Sequence, residues 1–326
     1  MAVITYREAV ARALDEEMAR DENVIFFGED VAKAGGVFKV TPGLYEKYGE
    51  IRVRDTPISE NAIIGAGIGA AVTGLRPVVE LMFADFAAVT LDQIINQAAK
   101  FRYMSGGQLK VPLTIRAAQG AGQGFGSQHS QCVEAWFMHA PGLKVVVPST
   151  PSDVVGLLKA SIRDDNPVVF LEHKSLYTDK GEVPDDPNFV IPLGVANVVR
   201  EGTDVTIVAT QQMVKVSLKA AEELEKQGIS CEVIDPRTLV PLDMETITQS
   251  VKKTGRLITV EEAVRAGGWG AEVVTQITEN AIWYLEGPVI RVTMGATIIP
   301  FSGPLEAHVL PDKDDVIKAV HQAMEP

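Results

Sequence analysis

The 326-residue sequence is poor in cysteine, in basic charge and in long apolar runs. Its two cysteines, Cys132 and Cys231, lie far apart, which excludes a disulfide framework and a four-cysteine zinc site. A reducing compartment is the expectation. Only 30 Lys and Arg residues stand against 43 Asp and Glu, a net charge of −13. Such a chain lacks the basic face that a phosphate backbone requires, so nucleic-acid binding is not expected. No apolar run reaches the roughly 18 residues of a membrane span. The densest small-apolar segment, Ala62–Val72, is too short. The amino terminus has an acid at Glu8 and no basic region followed by an unbroken apolar stretch, so it does not read as a secretory signal. The expected location is cytoplasmic.

Several catalytic signatures are also missing. Gly65, Gly67 and Gly69 open one helix, and Gly120, Gly122, Gly124 and Gly126 fill one loop. Neither set has the spacing of the dinucleotide fingerprint, which argues against a nucleotide-binding oxidoreductase. The P-loop lysine pattern, the H-E-x-x-H metalloprotease pattern and the G-x-S-x-G elbow are absent.

What is present is a globular composition, 46% apolar and 22% charged, long enough for two domains. Thr5 is placed to cap a first helix carrying Ala9, Val10, Ala13 and Leu14 at helical spacing. Strands are expected at Val24–Phe27, Val53–Asp55, Pro77–Met82, Leu113–Ala117, Val145–Pro148 and Val168–Glu172. Helices are expected between them at Asn61–Thr73, Leu91–Tyr103 and Ser152–Asp164. That alternation predicts a largely parallel sheet covered on both faces. The proline- and acid-rich stretch at 179–194 breaks the rhythm and reads as an exposed linker. A second set follows, with strands at Asp204–Ala209, Ser230–Ile234, Leu257–Val260 and Val289–Val292. The fold class is therefore α/β, two open doubly wound domains at 1–178 and 195–326.

Ligands of such sheets bind at the carboxyl ends of strands. Glu60 stands there, between a proline-containing turn and an apolar helix, where the helix dipole favours a carboxylate. Phe86 reads from its spacing as a core aromatic. His129 and Cys132 follow the glycine-rich loop, but adjacency without a third orienting group makes a weak nucleophile pair. The helix at Gly65–Gly74 is apolar with no polar face, which hints at a subunit interface.

Taken together, GEDV (28–31), DTPISE (55–60), GLRPVVELMFADF (74–86), QHSQ (128–131), PGLKVVVPSTPSD (141–153) and IRDDNPVVFLEH (162–173) resemble one family. It is the beta subunit of the thiamine-diphosphate-dependent component of 2-oxo acid dehydrogenase complexes. CEVIDPRTLVPLD (231–243) and PFSGPLE (300–306) extend the likeness over the whole chain. The resemblance implies a transketolase-like pyrimidine-binding domain and a transketolase carboxy-terminal domain. It implies oxidative decarboxylation of a 2-oxo acid with reductive acylation of lipoyl groups on an acyltransferase core. Pyruvate is the first substrate reading; acetoin and branched-chain 2-oxo acids are the alternatives.

The Gly-Asp-Gly and asparagine signature that holds metal and diphosphate in thiamine enzymes is absent here. An alpha subunit would thus supply Mg²⁺ and the diphosphate site, in an α2β2 heterotetramer. By the same resemblance Glu60 hydrogen-bonds N1′ of the aminopyrimidine, Phe86 stacks on that ring, and Ile58 and Met82 line its pocket. Glu29 is a buried acid on a proton path, and His129 faces the substrate and the incoming lipoyl group. Leu113, Ser161, Ile162, Asp164 and Asn166 match a site where some members bind K⁺.

Overall fold

In the computed structural model, which describes residues 1–325, the first helix (Tyr6–Arg20) starts where the sequence marks a cap. The Thr5 hydroxyl accepts from the Glu8 amide at 3.3 Å, and the Glu8 carboxylate accepts from the Thr5 amide at 2.7 Å. This reciprocal cap satisfies two amide donors that helical bonding leaves free.

The chain divides into two units, Met1–Gln119 with Trp136–Leu193, and Gly120–Ala135 with Gly194 onward. The first unit holds strands β1 (Ala2–Thr5), β2 (Val24–Gly28), β3 (Val53–Asp55), β4 (Arg76–Leu81), β5 (Thr114–Gln119), β6 (Lys144–Val146), β7 (Val168–His173) and β8 (Lys180–Val183). Six of them lie in the order β6-β7-β5-β4-β2-β3. Their pairings are parallel throughout. Tyr6, Leu14, Phe26, Val78, Leu157, Val168 and Phe170 belong to the core on one face of this sheet, where the first helix meets the helix Pro151–Arg163. Side chains of successive parallel strands are covered on both faces, which is why these strands read as near-continuous apolar runs.

The expected linker is not without structure. Lys180–Val183 forms β8 and pairs antiparallel with β1, Ala2 opposite Val183. The helix expected at 91–103 is also more irregular than its periodicity predicts. A 3₁₀ stretch at Ala84–Thr90 leads into a π-wound stretch at Asp92–Ala98 and then an α turn at Ala99–Met104. Wide turns of this kind recur near functional sites.

The second unit holds β9 (Asn197–Arg200), β10 (Val205–Ala209), β11 (Cys231–Asp235), the short β12 (Thr238–Val240), β13 (Leu257–Val264) and β14 (Ile290–Met294). Five are ordered β14-β13-β10-β11-β9. Only the edge strand β9, which the sequence pattern does not mark, runs antiparallel to its neighbour. Helices at Gln212–Glu225 and Lys313–Met324 bury Leu224, Val316 and Val320 against Ile207, Val233 and Ile258. Among the described residues no helix is long and apolar enough to cross a membrane.

Candidate functional site

The expected cofactor-facing residues gather at the carboxyl ends of three neighbouring parallel strands, β3, β2 and β4. Glu29 follows β2, Ile58 and Glu60 follow β3 through a short turn, and Met82 and Phe86 follow β4. The turns are tied to each other. The Thr56 amide donates to the Gly28 carbonyl at 2.9 Å, and the Ala32 amide donates to the Asp55 carboxylate at 2.7 Å. Gly28 is needed for this approach, because a Cβ there would lie 2.8 Å from the Glu80 carbonyl oxygen.

Glu60 is the first residue of the helix Glu60–Val72, with Ser59 making no side-chain cap. It is half-buried, whereas Ile58 on the preceding turn is 82% exposed. Glu29 is only 6% exposed, and its Oε1 is buried with no hydrogen-bond partner. Burial, then the charges of Glu60, Asp30 and Glu80, push its carboxyl above the usual range. The Glu60 charge is thus close enough to act on Glu29 across the ends of β2 and β3. A buried, unsatisfied oxygen is costly unless something meets it, and Glu29 Oε1 is such an oxygen at these strand ends.

Phe86 is half-buried, and behind it stands a ladder of rings. Phe83 meets Phe86 edge-on at 5.8 Å, Phe38 meets Phe83 at 5.6 Å, and Tyr177 lies 5.3 Å from Phe38. The Tyr177 hydroxyl donates to Glu172 at 2.9 Å. Phe86 therefore sits on a fixed base rather than on a mobile loop.

That ladder ends in a buried ionic network which the sequence reading missed. Arg116 donates to Glu172 through Nε at 2.7 Å and Nη2 at 2.8 Å, and to Glu80 through Nη1 at 2.7 Å. Arg116 is 1% and Glu172 0% exposed. Burial still holds the Glu80 carboxyl above its usual range, although Arg116 opposes that shift. The signal was available: strands that otherwise read VVEL, TIRA and FLEH each carry one charged residue, and Glu80 is in register with Arg116 across β4 and β5. Charged residues in doubly covered strands are buried only when paired.

His129 lies in the second unit, half-buried on the segment that follows the glycine-rich loop. The Ala121 amide donates to Glu262 at 2.6 Å, and the Gly122 and Gly124 amides donate to Glu306 at 2.9 and 3.0 Å. Sequence reasoning gave neither carboxylate a role.

The residues matched to a K⁺ site do come together, and several of their oxygens accept hydrogen bonds within the chain. Arg76 Nη1 donates to the carbonyls of Ile162 and Asp164, both at 3.1 Å. The Asp164 carboxylate pairs with Lys144, and Asn166 Oδ1 accepts from Arg102 at 2.6 Å. The Ser161 carbonyl accepts from the Asp164 amide at 3.2 Å and the Leu113 carbonyl from the Val168 amide at 2.9 Å. Arg76 is thus the cation that lies on backbone carbonyls of this turn, while Lys144 and Arg102 meet its side chains.

Residues 2–180 match the transketolase pyrimidine-binding domain family, and residues 194–316 match the transketolase C-terminal domain family. The chain is 48% identical over 320 residues to a pyruvate dehydrogenase E1 component subunit beta of Rhizobium meliloti, covering 98% of this chain and 70% of that protein. The mitochondrial subunit of that name from Ascaris suum is 48% identical over 98% of this chain and 90% of its own length. A 2-oxoisovalerate dehydrogenase subunit beta of Bacillus subtilis is 46% identical over the full length of both. Among solved structures, a split-gene transketolase described as an inactive beta4 tetramer superposes with a TM-score of 0.80 at 27% identity, covering 98% of each chain.

Proposed function

Because this chain belongs to the family of E1 component beta subunits of thiamine-diphosphate-dependent 2-oxo acid dehydrogenases, we propose that it forms the aminopyrimidine half of a pyruvate dehydrogenase active site. The observation that carries this reading is the Glu29–Glu60 pair, with its unpartnered buried oxygen, at the strand ends of the pyrimidine-binding domain. The residues present fit that cofactor. When bound, thiamine diphosphate supplies the carbon nucleophile and electron sink for decarboxylation of a 2-oxo acid.

The work of this chain is then positional and protonic. Glu60 holds a proton at N1′ of the aminopyrimidine and exchanges it as the ring changes tautomer. Positioned proton transfer of this kind contributes on the order of 10²–10⁴-fold. Burial and the charges of Glu60, Asp30 and Glu80 make Glu29 easier to protonate than an ordinary carboxyl, which suits an acid on a proton path. Phe86 offers its ring to one face of the pyrimidine, at roughly 0.5–1.5 kcal/mol beyond area if the pair stacks as aromatic rings do. Ile58 and Met82 close the remaining apolar walls. His129 faces the acyl acceptor, a lipoyl group, and donates a proton to the sulfur released during acyl transfer, a task suited to imidazole.

With no Gly-Asp-Gly signature in this sequence, Mg²⁺ and the diphosphate would be held by an alpha subunit, within an α2β2 heterotetramer that serves a lipoyl acyltransferase core in the cytoplasm. The helix Glu60–Val72 supports such an assembly. It buries Ile63, Ile64 and Ile68 in its own unit, while the small residues Ala62, Ala66 and Gly69 are exposed.

Pyruvate is favoured over branched-chain substrates by the Rhizobium and Ascaris relatives. In the assembled enzyme, kcat/KM for pyruvate is expected to exceed that for 3-methyl-2-oxobutanoate by about tenfold or more, since added methyl groups change pocket energies by about 1–3 kcal/mol. A preference for the branched acid would reassign the substrate. Turnover of acetoin in place of both would reassign the reaction.

A further inference from the structure

The glycine-rich loop before His129 has a geometry that its composition alone does not explain. Gly120, Gly122, Gly124 and Gly126 all have positive φ, at 90°, 91°, 71° and 74°. Alternation of left- and right-handed residues turns backbone amides toward one side and makes a concave nest for an anion. Here the nest is filled from within the chain. Glu306, 3% exposed on the helix Gly303–Val309, takes the Gly122 amide on Oε1 and the Gly124 amide on Oε2. Glu262, 7% exposed, takes the neighbouring Ala121 amide. The Gly120 amide closes the loop on the Gln131 carbonyl at 3.4 Å, and Ala121 packs with Met294 and Ile299. All of these groups belong to the second unit, although the segment follows β5 of the first in sequence.

We infer that Glu306, seconded by Glu262, is a positioning residue for His129: its two carboxylate oxygens set the curve of the loop and thereby the place from which the imidazole meets the acyl acceptor. This rests on the reading of His129 given above and adds the device that aims it. The loop has much freedom to lose, because four glycines carry maximal backbone freedom and contribute no side chains. A carboxylate accepting two amide bonds is the group that removes that freedom, and glutamine cannot replace it. The amide nitrogen of glutamine would face a backbone N–H donor to donor.

The test uses the assembled enzyme with wild-type alpha subunit and two readouts: decarboxylation with an artificial electron acceptor, and acylation of a free lipoyl domain. Glu306→Gln is expected to lower kcat for lipoyl acylation about 10-fold to 100-fold, since a misplacement of about 1 Å can cost 10²-fold. Turnover with the artificial acceptor should stay within about twofold. Glu306→Asp, which keeps the charge, should recover part of the loss. Combined with His129→Ala, Glu306→Gln should add little further, because residues acting as one unit are not additive. Equal loss in both readouts would overturn the inference in favour of a general structural role. So would unimpaired acylation by Glu306→Gln when His129→Ala is impaired. Unimpaired acylation by His129→Ala would instead remove the role of the histidine, and the inference with it.

Discussion

Replacing Glu60 by glutamine is expected to lower thiamine-diphosphate-dependent decarboxylation by at least about 10²–10⁴-fold, the range that positioned proton transfer supplies. The substitution keeps the length of the side chain and the start of the helix Glu60–Val72, where Ser59 gives no cap to lose. What disappears is a group that can hold and release a proton at N1′. The loss should therefore fall on kcat, with the heterotetramer intact by sedimentation. A second consequence follows for Glu29. The Glu60 charge is one of the causes that raise the Glu29 carboxyl, after burial. Removing that charge should move Glu29 back toward its ordinary range, visible as a downshift in a carboxyl titration by NMR. Near-normal turnover by Glu60→Gln would take the residue out of the chemistry.

Arg116→Met is expected to be the most destabilising single change in the chain, about 3–5 kcal/mol, because it leaves buried carboxylates without their counter-charge. For a unit of this size that corresponds to a fall in Tm of about 6–20 °C. The network has no solvent to fall back on: Arg116, Glu80 and Glu172 are all buried, and Tyr177 ties Glu172 to the rings beneath Phe86. The pH dependence has a definite sign. Glu80 already has a folded pKa above its unfolded value, through burial first. Stability from such a group is fully present below the unfolded pKa and is lost as pH rises through the folded one. Without Arg116 that rise is steeper, so the deficit of the variant should be smaller near pH 5 than near pH 8. Adding Glu80→Gln and Glu172→Gln should return part of the loss. A Tm within about 1 °C of wild type would show that the network is no support for the strand ends.

Much of this was legible in the sequence, for reasons that differ between elements. The Thr5 cap and the parallel alternation follow from local chemistry, as does the helix expected from Asn61, which the structure opens one residue earlier at Glu60. The π-wound stretch at Asp92–Ala98 was not legible, because a wide turn leaves apolar spacing nearly helical. Strand β8 was hidden by the prolines and acids around Lys180–Val183, since an edge strand with few buried side chains carries no alternation to read.

The candidate site divides in the same way. Composition and spacing made Glu60 and Phe86 an acid in a first turn and a core aromatic; only resemblance gave them tasks. The structure supplies what neither could. It gives the unpartnered oxygen of Glu29, the ring ladder behind Phe86 and the two carboxylates in the glycine nest. Those are contacts between residues far apart in sequence, which no local pattern encodes. The contacts of Arg76, Lys144 and Arg102 around Asp164 belong to the same class.

The central claim is that this chain is half of an active site, and it is tested most directly by release of ¹⁴CO₂ from labelled pyruvate. The assay is run with thiamine diphosphate and Mg²⁺ on this chain alone, on the cognate alpha subunit alone, and on their mixture. The account predicts release only from the mixture, rising to a plateau at equal amounts of the two chains. Sustained turnover by this chain alone would contradict it.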